Sequence, residues 1–318
     1  MNRLLFLHSW CIINKKALGG YMTAVKEQAY AKVNLYLDVL GLRADGFHEI
    51  KTVMHTVSLF DDVTVALSPA RESSVKISID GCPFLPKDDK NLAVRAAFAF
   101  LEHTGKNADV SIKLTKRIPV AAGLAGGSAD AAAVLRALNS IYKKPLSQKA
   151  LMELGATIGS DVPFCVFGKS AVCLGRGEII EPVVVSRELH FVIGSSAERV
   201  STPLAYSKLD SIYSDFDGSK NTGGEKYYSE IIRCLSGESD KPLVTFNVFE
   251  EAVLPECPVA SSIKERLKSL GAVNTMMSGS GPAVFGIFDS EESATIARDA
   301  LREEGFAAYY AKSANFRQ

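Results

Sequence analysis

Residues 119–142 are the part of the sequence best suited to binding an anion. The first half is rich in small residues, and Gly123, Gly126 and Gly127 permit positive φ angles and close approach of the backbone to a ligand. The second half favours a helix, because alanine and leucine dominate it. The unpaired N–H groups and the dipole at the start of such a helix suit a phosphate group. We call residues 119–129 the glycine loop.

The same small residues also suit a helix that packs closely on a sheet, so the glycine loop alone leaves a phosphate site and a packing role equally open. It is not a Walker A loop, because Ser128 is followed by Ala129 and Asp130 and no lysine follows the glycines. Its G-x-x-G-G spacing also differs from the dinucleotide fingerprint. A nucleotide bound here would therefore belong to a different class of site.

Three further polar residues could take part in chemistry. Lys32 and Asn34 are two residues apart in a predicted strand, so they share one face, and that segment alone favours a solvent-exposed face over a site. Asp161 lies among Gly, Pro and apolar residues, where an unpaired charge is costly. A helix cap or a turn is the simpler role for this aspartate.

Residues 41–48 predict a tight turn, with Asp45-Gly46 as a hairpin signal. Phe47 and His48 follow that signal directly, and they suit a platform on which a nucleobase stacks. A single histidine is more often structural, so both roles stay open.

Several elements position these residues. The pattern predicts strands over 25–39, 49–67, 75–79 and 110–114 before the glycine loop. It predicts a helix that Asn91 opens and Gly105 ends, and another that Ser147 caps. Lys116 and Arg117 stand just before the glycine loop, where they could neutralise ligand charge.

The C-terminal part predicts strands over 189–193, 284–288 and 306–314 and a helix over 261–270. A second glycine-rich stretch, Ser278 to Gly281, leads into a strand, which is the wrong context for a dinucleotide fold. Asp289 is expected to cap a final helix, with Glu292 at the capping-box position. Residues 214–226 are polar and glycine-rich, and they predict a mobile loop.

Composition narrows the class of protein. The 318 residues suggest two domains, and a hydrophobic content of 47% is ample for a core. Lys plus Arg equals Asp plus Glu at 36 each, which argues against a general partner such as nucleic acid or an anionic membrane. We expect a monomer or a weak homodimer.

The cysteines and the N-terminus point to the cytoplasm. The six cysteines form no C-x-x-C pair and several lie in apolar runs, so we expect reduced, mostly buried thiols and no Cys/His metal site. The apolar stretch near the N-terminus is too short to span a membrane and lacks a clear signal cleavage site. We expect residues 1–21 to be an extension outside the fold.

Four separated motifs resemble the GHMP kinase superfamily of small-molecule kinases. They are the segments 31–35, 43–48, 159–163 and 175–178, which accompany the glycine loop and the Ser278 to Gly281 stretch in the family's order. Within the superfamily the chain is similar to the kinases of diphosphocytidyl-methylerythritol in the non-mevalonate isoprenoid pathway. The likeness covers the chain from about residue 26 to the C-terminus.

The resemblance implies an α+β, two-domain GHMP kinase fold. The N-terminal domain, residues 22–185, would be ribosomal-protein-S5-like and carry the ATP loop and the catalytic residues. The C-terminal domain, residues 186–318, would be a ferredoxin-like α+β domain.

The resemblance also implies ATP-dependent phosphorylation of the substrate's 2-hydroxyl group, with Mg²⁺ as cofactor. Asp161 would be the general base, and Lys32 would lie near it, orient the hydroxyl and keep Asp161 ionised. Magnesium would be bound through the ATP phosphates, with Ser128 as a candidate ligand. The ATP-binding residues would be Asn91, Lys116, Pro119, Val120, Ala121, Ala122, Gly123, Leu124, Ala125, Gly126, Gly127, Ser128 and Ala129.

The substrate would be a cytidine diphosphate-linked polyol. Phe47 and His48 would meet the cytosine, and Tyr206 would stack on its other side. The remaining substrate-binding residues would be Asn34, Thr202, Ser278 and Gly279.

The chain departs from the family at three positions. Ala125 and Ala129 replace a glycine and a serine of the usual loop, and Phe47 stands where tyrosine is common. These departures bear on ATP affinity more than on the reaction. Two alternatives remain: a GHMP kinase for another small alcohol, and a catalytically weak paralogue that binds ligand.

Overall fold

The computed structural model describes residues 13–17, 20–213 and 223–314. The chain divides into two compact units, and each unit is built from three separate segments. The first unit comprises residues 1–29, 60–117 and 126–167, and the second comprises residues 30–59, 118–125 and 168–318. Two long strands, β2 (Gly20–Leu42) and β3 (His48–Pro69), each contribute residues to both units.

The strands of the first unit are the beginning of β2, the end of β3, β1 (Ile13–Ala17), β4 (Ser74–Asp80) and β5 (Ala108–Thr115). β5 runs antiparallel to β3 and parallel to β4. Alternate residues of β5 are buried, as the sequence predicts. The period of two in β5 therefore reflects one face packed on the core.

Four helices complete the first unit: α1 (Leu92–Thr104), α2 (Gly126–Ile141), α3 (Gln148–Ala156) and α4 (Val162–Phe167). α1 connects the parallel strands β4 and β5, which need a crossover of this kind. α2 packs against α1 and α4, and its alanine-rich face is buried. This packing fixes the helix that follows the glycine loop.

The second unit contains a four-stranded antiparallel sheet in the order β10-β11-β8-β12. Its strands are β8 (His190–Ser195), β10 (Asn274–Met277), β11 (Val284–Phe288) and β12 (Ala307–Lys312). Helices α8 (Pro258–Ser269) and α9 (Glu291–Glu303) pack on this sheet and bury Ile263, Leu267 and Leu301.

The other elements of the second unit surround the beginning of β3 and the end of β2. β6 (Ser170–Gly175) pairs with β3 and with β7 (Ile179–Pro182), and β9 (Phe246–Asn247) pairs with β2. The remaining helices are α5 (Thr202–Ile212), α6 (Glu225–Ser236), α7 (Phe249–Val253) and a 3₁₀ turn (Leu254–Glu256).

Local signals predicted several helix ends correctly. The side chain of Asn91 accepts a hydrogen bond from the N–H of Ala93, Ser147 does the same for Ala150, and Gly105 ends α1 at a φ of 61°. The predicted cap of α9 is wrong: Ser290, not Asp289, is extended and accepts from the N–H of Ser293. A serine hydroxyl is an equally good cap, and here it occupies the last extended position.

Other differences follow from packing. α8 begins three residues before the predicted start, with Pro258 at its first position, which the fixed φ of proline favours. The short helix α4 and the short strand β10 were not predicted, because neither is long enough to show a period. α6 begins at Glu225, inside the predicted mobile segment, and residues 214–222 lie outside the described residues.

Two remaining expectations concern the N-terminus and the domain boundary. Residues 13–17 form β1, which pairs antiparallel with the start of β2, while residues 1–12 and 18–19 lie outside the described residues. The boundary between residues 185 and 186 stays a prediction. In the described part of the chain, no helix combines the length and the apolar character needed to cross a membrane.

Candidate functional site

The backbone of the glycine loop is left-handed at three alternate residues before α2. The φ angles are 54° at Ala121, 76° at Gly123 and 56° at Ala125, and α2 begins directly afterwards at Gly126. Gly126 and Gly127, which permit positive φ, instead form the right-handed first turn of α2. Two alanines thus adopt a conformation that costs an L-residue roughly 1–2 kcal/mol.

Gly123 lies against the C-terminal glycine stretch. A Cβ atom at Gly123 would fall 1.9 Å from the carbonyl oxygen of Ser278, so no other residue fits without movement of the backbone. The hydroxyl of Ser278 donates a hydrogen bond to the carbonyl oxygen of Gly123 at 3.0 Å. These contacts bring together two glycine-rich segments that are distant in the sequence.

Lys32 is fixed at this junction. Its ammonium donates to the side-chain oxygen of Asn34 at 2.6 Å and to the carbonyl oxygen of Gly123 at 2.9 Å. The side-chain N–H₂ of Asn34 in turn donates to the hydroxyl of Thr52 at 2.8 Å. Lys32 is 4% exposed and Asn34 is 2% exposed. The strand alone favoured an exposed face, and that interpretation is wrong.

Gly279 also lies close to this lysine. A Cβ atom on Gly279 would be 3.4 Å from the Lys32 ammonium and 3.1 Å from the carbonyl oxygen of Gly123. The second unit therefore assembles Lys32, Asn34, Gly123, Ser278 and Gly279 around one buried ammonium group. A positive charge held next to a backbone loop can stabilise negative charge on a phosphoryl group.

The turn after β2 presents two rings. Phe47 is 51% exposed, and the guanidinium of Arg176 lies 4.6 Å from its ring centroid. His48 stacks on Tyr206 with ring centroids 4.5 Å apart and an interplanar angle of 23°. His48 Nε2 is also 2.8 Å from a carboxylate oxygen of Asp210. The structure therefore brings the His48 and Tyr206 rings into direct contact, and the contacts of these two residues with the cytosine stay a prediction.

Helix α5 supplies the partners of His48. Thr202, Tyr206 and Asp210 follow one another at intervals of four residues, so they share one face of the helix. The hydroxyl of Thr202 is 2.9 Å from that of Ser280, at the far end of the same face. Asp210 was missed by the sequence interpretation, although its spacing from Tyr206 was a usable signal.

In the first unit, the side chain of Asn91 makes two hydrogen bonds at the start of α1. Its side-chain oxygen accepts from the N–H of Ala93 at 3.0 Å, and its side-chain N–H₂ donates to the carbonyl oxygen of Pro86 at 2.9 Å. Leu92 then lies beside Gly127, at 3.7 Å from the position of a Cβ atom there. Asn91 thus helps to place the residues next to the first turn of α2.

Asp161 lies immediately before α4 and is partly buried. Its carbonyl oxygen accepts a hydrogen bond from the N–H of Cys165 at 3.0 Å, which closes the first turn of that helix. The helix fixes the backbone that carries this carboxylate.

Lys116 is buried between two carboxylates of the first unit. Its ammonium donates to a carboxylate oxygen of Asp61 and, at 2.8 Å, to one of Asp130. Burial lowers the pKa of Lys116, but the charges of Asp130 and Asp61 outweigh burial and raise it overall. Burial raises the pKa of Asp130 to about 8. Contact between Lys116 and ATP stays a prediction.

The described residues contain no group of three or more His, Cys, Asp and Glu side chains that could hold a metal ion. Ser128 stands in the first turn of α2 and is partly exposed, so its hydroxyl could contribute one oxygen ligand, the type that Mg²⁺ takes. This donor set fits an ion that arrives bound to phosphate groups.

Four of the five described cysteines, Cys165, Cys173, Cys234 and Cys257, are buried, and all five are unbridged, which confirms the expected thiols.

Two family models match the chain. The model of the GHMP kinases N terminal domain matches residues 91–169, and the model of the GHMP kinases C terminal domain matches residues 232–307. The first match contains the glycine loop and Asp161, and the second contains Ser278 and Gly279.

Curated relatives cover most of the chain. A 4-diphosphocytidyl-2-C-methyl-D-erythritol kinase of Gloeobacter violaceus is 42% identical over 84% of this chain and 86% of its own length. The protein of the same name in Alkaliphilus metalliredigens is 41% identical over 84% of this chain and 89% of its own length.

A solved structure agrees with these relatives. The crystal structure of a 4-(cytidine 5'-diphospho)-2C-methyl-D-erythritol kinase has a TM-score of 0.72 and 32% identity, and the match covers 90% of this chain and 98% of that one. The predicted fold class, an α+β GHMP kinase fold, is thereby confirmed. The chain belongs to the 4-diphosphocytidyl-2-C-methyl-D-erythritol kinase family of the GHMP kinases.

Proposed function

We propose that the chain transfers the γ-phosphate of ATP to the 2-hydroxyl group of 4-diphosphocytidyl-2-C-methyl-D-erythritol, in the non-mevalonate route to isoprenoid precursors. The observation that carries the proposal is the buried Lys32 ammonium, which is hydrogen-bonded to the glycine loop itself at Gly123. Phosphoryl transfer depends on positioning and on stabilised negative charge more than on covalent catalysis. We propose the cytoplasm as its location.

The glycine loop is proposed to hold the ATP phosphates. Left-handed turns of this kind can direct backbone N–H groups at an anion, and α2 follows at once with its unpaired first-turn N–H groups. The helix dipole adds partial positive charge at this end. Residues 119–129 supply the proposed nucleotide contacts. Asn91 is a further proposed contact.

Magnesium bound with ATP would neutralise negative charge on the phosphate groups. The hydroxyl of Ser128 is the proposed protein ligand that would hold it. Ala129 supplies no second hydroxyl, and its side chain is buried in α2, so we assign it a packing role beside the loop.

Asp161 is proposed to accept the proton of the substrate hydroxyl, for which hydrogen-bond reach is the first requirement. Lys32 is proposed to orient that hydroxyl and to stabilise charge on the transferred phosphoryl group. Asn34 fixes the lysine in this role, because it accepts from the ammonium and is itself fixed by Thr52.

The cytosine is proposed to bind at Phe47, His48 and Tyr206. The His48 and Tyr206 rings already contact each other at 4.5 Å, so a base that lies between them requires the two rings to separate. Phe47 offers an exposed ring face for stacking but has no hydroxyl. Thr202, Ser278 and Gly279 are the further proposed substrate contacts.

A coupled assay of ADP release tests the proposal. The purified protein, MgATP and the cytidine diphosphate-linked polyol should give ADP and a phosphorylated product, and Asp161→Ala should reduce kcat by at least about 100-fold. Glu153→Ala, which removes an exposed carboxylate on α3, is the matched control and should leave kcat unchanged.

Two results would redirect the assignment. If the wild type turns over only another alcohol, and cytidine 5'-diphosphate does not compete with that alcohol, the chain is a GHMP kinase of different specificity. If the wild type binds MgATP and the cytidine substrate but releases no ADP, the chain is a ligand-binding paralogue.

A further inference from the structure

Three charged side chains form a buried cluster in the first unit. Asp61 on β3 has a fully buried side chain, and the side chains of Lys116 and Asp130 are each 4% exposed. The Lys116 ammonium donates to both carboxylates, and the backbone N–H of Arg117 donates to Asp61 as well. Two carboxylates therefore share one lysine away from solvent.

Two members of this cluster, Lys116 and Asp130, lie on either side of the glycine loop in the sequence. Lys116 directly follows β5, and Asp130 lies one residue beyond the glycine loop, on the second turn of α2. Their 2.8 Å ion pair joins residues 14 apart and closes the base of the loop. The backbone of Lys116 is fixed too, because its N–H donates to the carbonyl oxygen of Asp80 at 2.9 Å.

Stability alone explains this cluster poorly. Buried ion pairs rarely stabilise a fold more than apolar side chains of similar volume, because desolvation offsets their attraction. Here two carboxyl groups are buried beside one lysine, and Asp130 Oδ1 is buried without a hydrogen-bond partner among the described residues. Such an arrangement is costly, and what it provides is a fixed distance between the end of β5 and the start of α2.

We propose that Lys116 and Asp130 form a loop clamp: they are positioning residues that set the separation of the two ends of the glycine loop and thereby its affinity for MgATP. The loop clamp rests on one part of the proposed function, which is the assignment of the glycine loop to ATP. It assigns Lys116 a role that acts through Asp130 rather than through direct contact with the nucleotide.

Two substitutions at one position separate the clamp from general stability. Asp130→Ala removes one of the two carboxylate acceptors of the Lys116 ammonium but leaves its hydrogen bond to Asp61, so the fold retains no unpaired lysine. Asp130→Asn keeps an oxygen acceptor of the same shape. The Kd of MgATP is measured by isothermal titration calorimetry without substrate, and KM values for both substrates are measured by ADP release.

The expected result is an approximately tenfold higher Kd and KM for MgATP in Asp130→Ala, with the KM of the cytidine substrate within twofold of the wild type. Asp130→Asn should restore the MgATP affinity to within threefold, and Glu153→Ala should match the wild type. Unchanged MgATP affinity in Asp130→Ala, or equal losses in Asp130→Ala and Asp130→Asn, would overturn the clamp.

The same experiment keeps the two proposals apart. If the wild type binds MgATP but transfers no phosphate, the proposed function fails, and the calorimetric comparison of the two variants still decides the clamp. If the wild type shows no MgATP affinity, the clamp fails with the assignment of the loop.

Discussion

The ammonium of Lys32 and the side-chain oxygen of Asn34 are 2.6 Å apart, and both residues are almost fully buried. They are neighbours on one face of β2, yet their environment is set by distant residues: Gly123 accepts from the lysine and Thr52 accepts from the asparagine.

Replacing Asn34 by leucine should release the Lys32 ammonium from its fixed position. We expect kcat to fall by about 10- to 100-fold, because small errors in the placement of a catalytic group are costly. The KM of MgATP should change less than kcat. Thr52→Val, which removes the hydroxyl that accepts from Asn34 and donates to the carbonyl oxygen of Tyr36, should have a smaller effect in the same steady-state assay. A wild-type kcat in Asn34→Leu would contradict the assigned role.

Gly123→Ala should be far more damaging than another glycine substitution at positive φ. The new Cβ atom would lie 1.9 Å from the carbonyl oxygen of Ser278, whereas nothing lies within 4 Å at Gly271, whose φ is 92°. Gly271→Ala should therefore cost only the backbone term, about 1–2 kcal/mol. Urea unfolding and MgATP titration of both variants test this difference. Equal losses in the two variants would show that the contact with Ser278 is unimportant.

Two alanine-to-glycine substitutions should differ in their effect on stability. Ala125 has a φ of 56°, so glycine relieves strain of about 1–2 kcal/mol, partly offset by the entropy of the unfolded chain. Ala129 is buried inside α2, so glycine there should destabilise by about 1 kcal/mol. Chemical denaturation should show a free energy of unfolding that is unchanged or up to about 1 kcal/mol higher for Ala125→Gly, and lower for Ala129→Gly. A clear loss in Ala125→Gly would indicate that its methyl group makes a required contact.

Stability should fall at acidic pH because of His55. Burial lowers the pKa of His55 to about 4, and its two ring nitrogens lie 2.7 Å from the hydroxyl of Ser170 and 2.9 Å from that of Ser313. The folded pKa is below the unfolded value of about 6.5, so the neutral ring stabilises the fold. This contribution is complete above pH 6.5 and is lost as the pH falls from 6.5 to 4, by roughly 3 kcal/mol.

The measurement is urea unfolding of the wild type and His55→Gln at several pH values between 4 and 7.5. The free energy of unfolding of the wild type should decrease more steeply below pH 6.5 than that of the variant. Parallel curves would mean that other groups cause the acid sensitivity.

Local patterns were sufficient for much of the fold. Asn91, Ser147 and Gly105 were correctly placed at helix ends, because a cap needs only the hydrogen bonds and φ angles of adjacent residues. The buried alternation in β5 was predicted for the same reason. The glycine loop was located at a helix start from composition alone, and the family was identified from the order of its motifs.

The tertiary structure decided which residues meet. Lys32 reaches Gly123 across 91 positions, and His48 reaches Asp210 across 162. No local pattern reports such contacts, because they depend on which sheets and helices pack together. The conformation of the glycine loop also depended on tertiary packing. Its sequence specified small residues, but the contact with Ser278 requires a glycine at position 123. The left-handed turns of its alanines, at Ala121 and Ala125, were not apparent from the sequence either. The sequence by itself thus determined the elements and the family, while burial and long-range packing determined the environment of each charge.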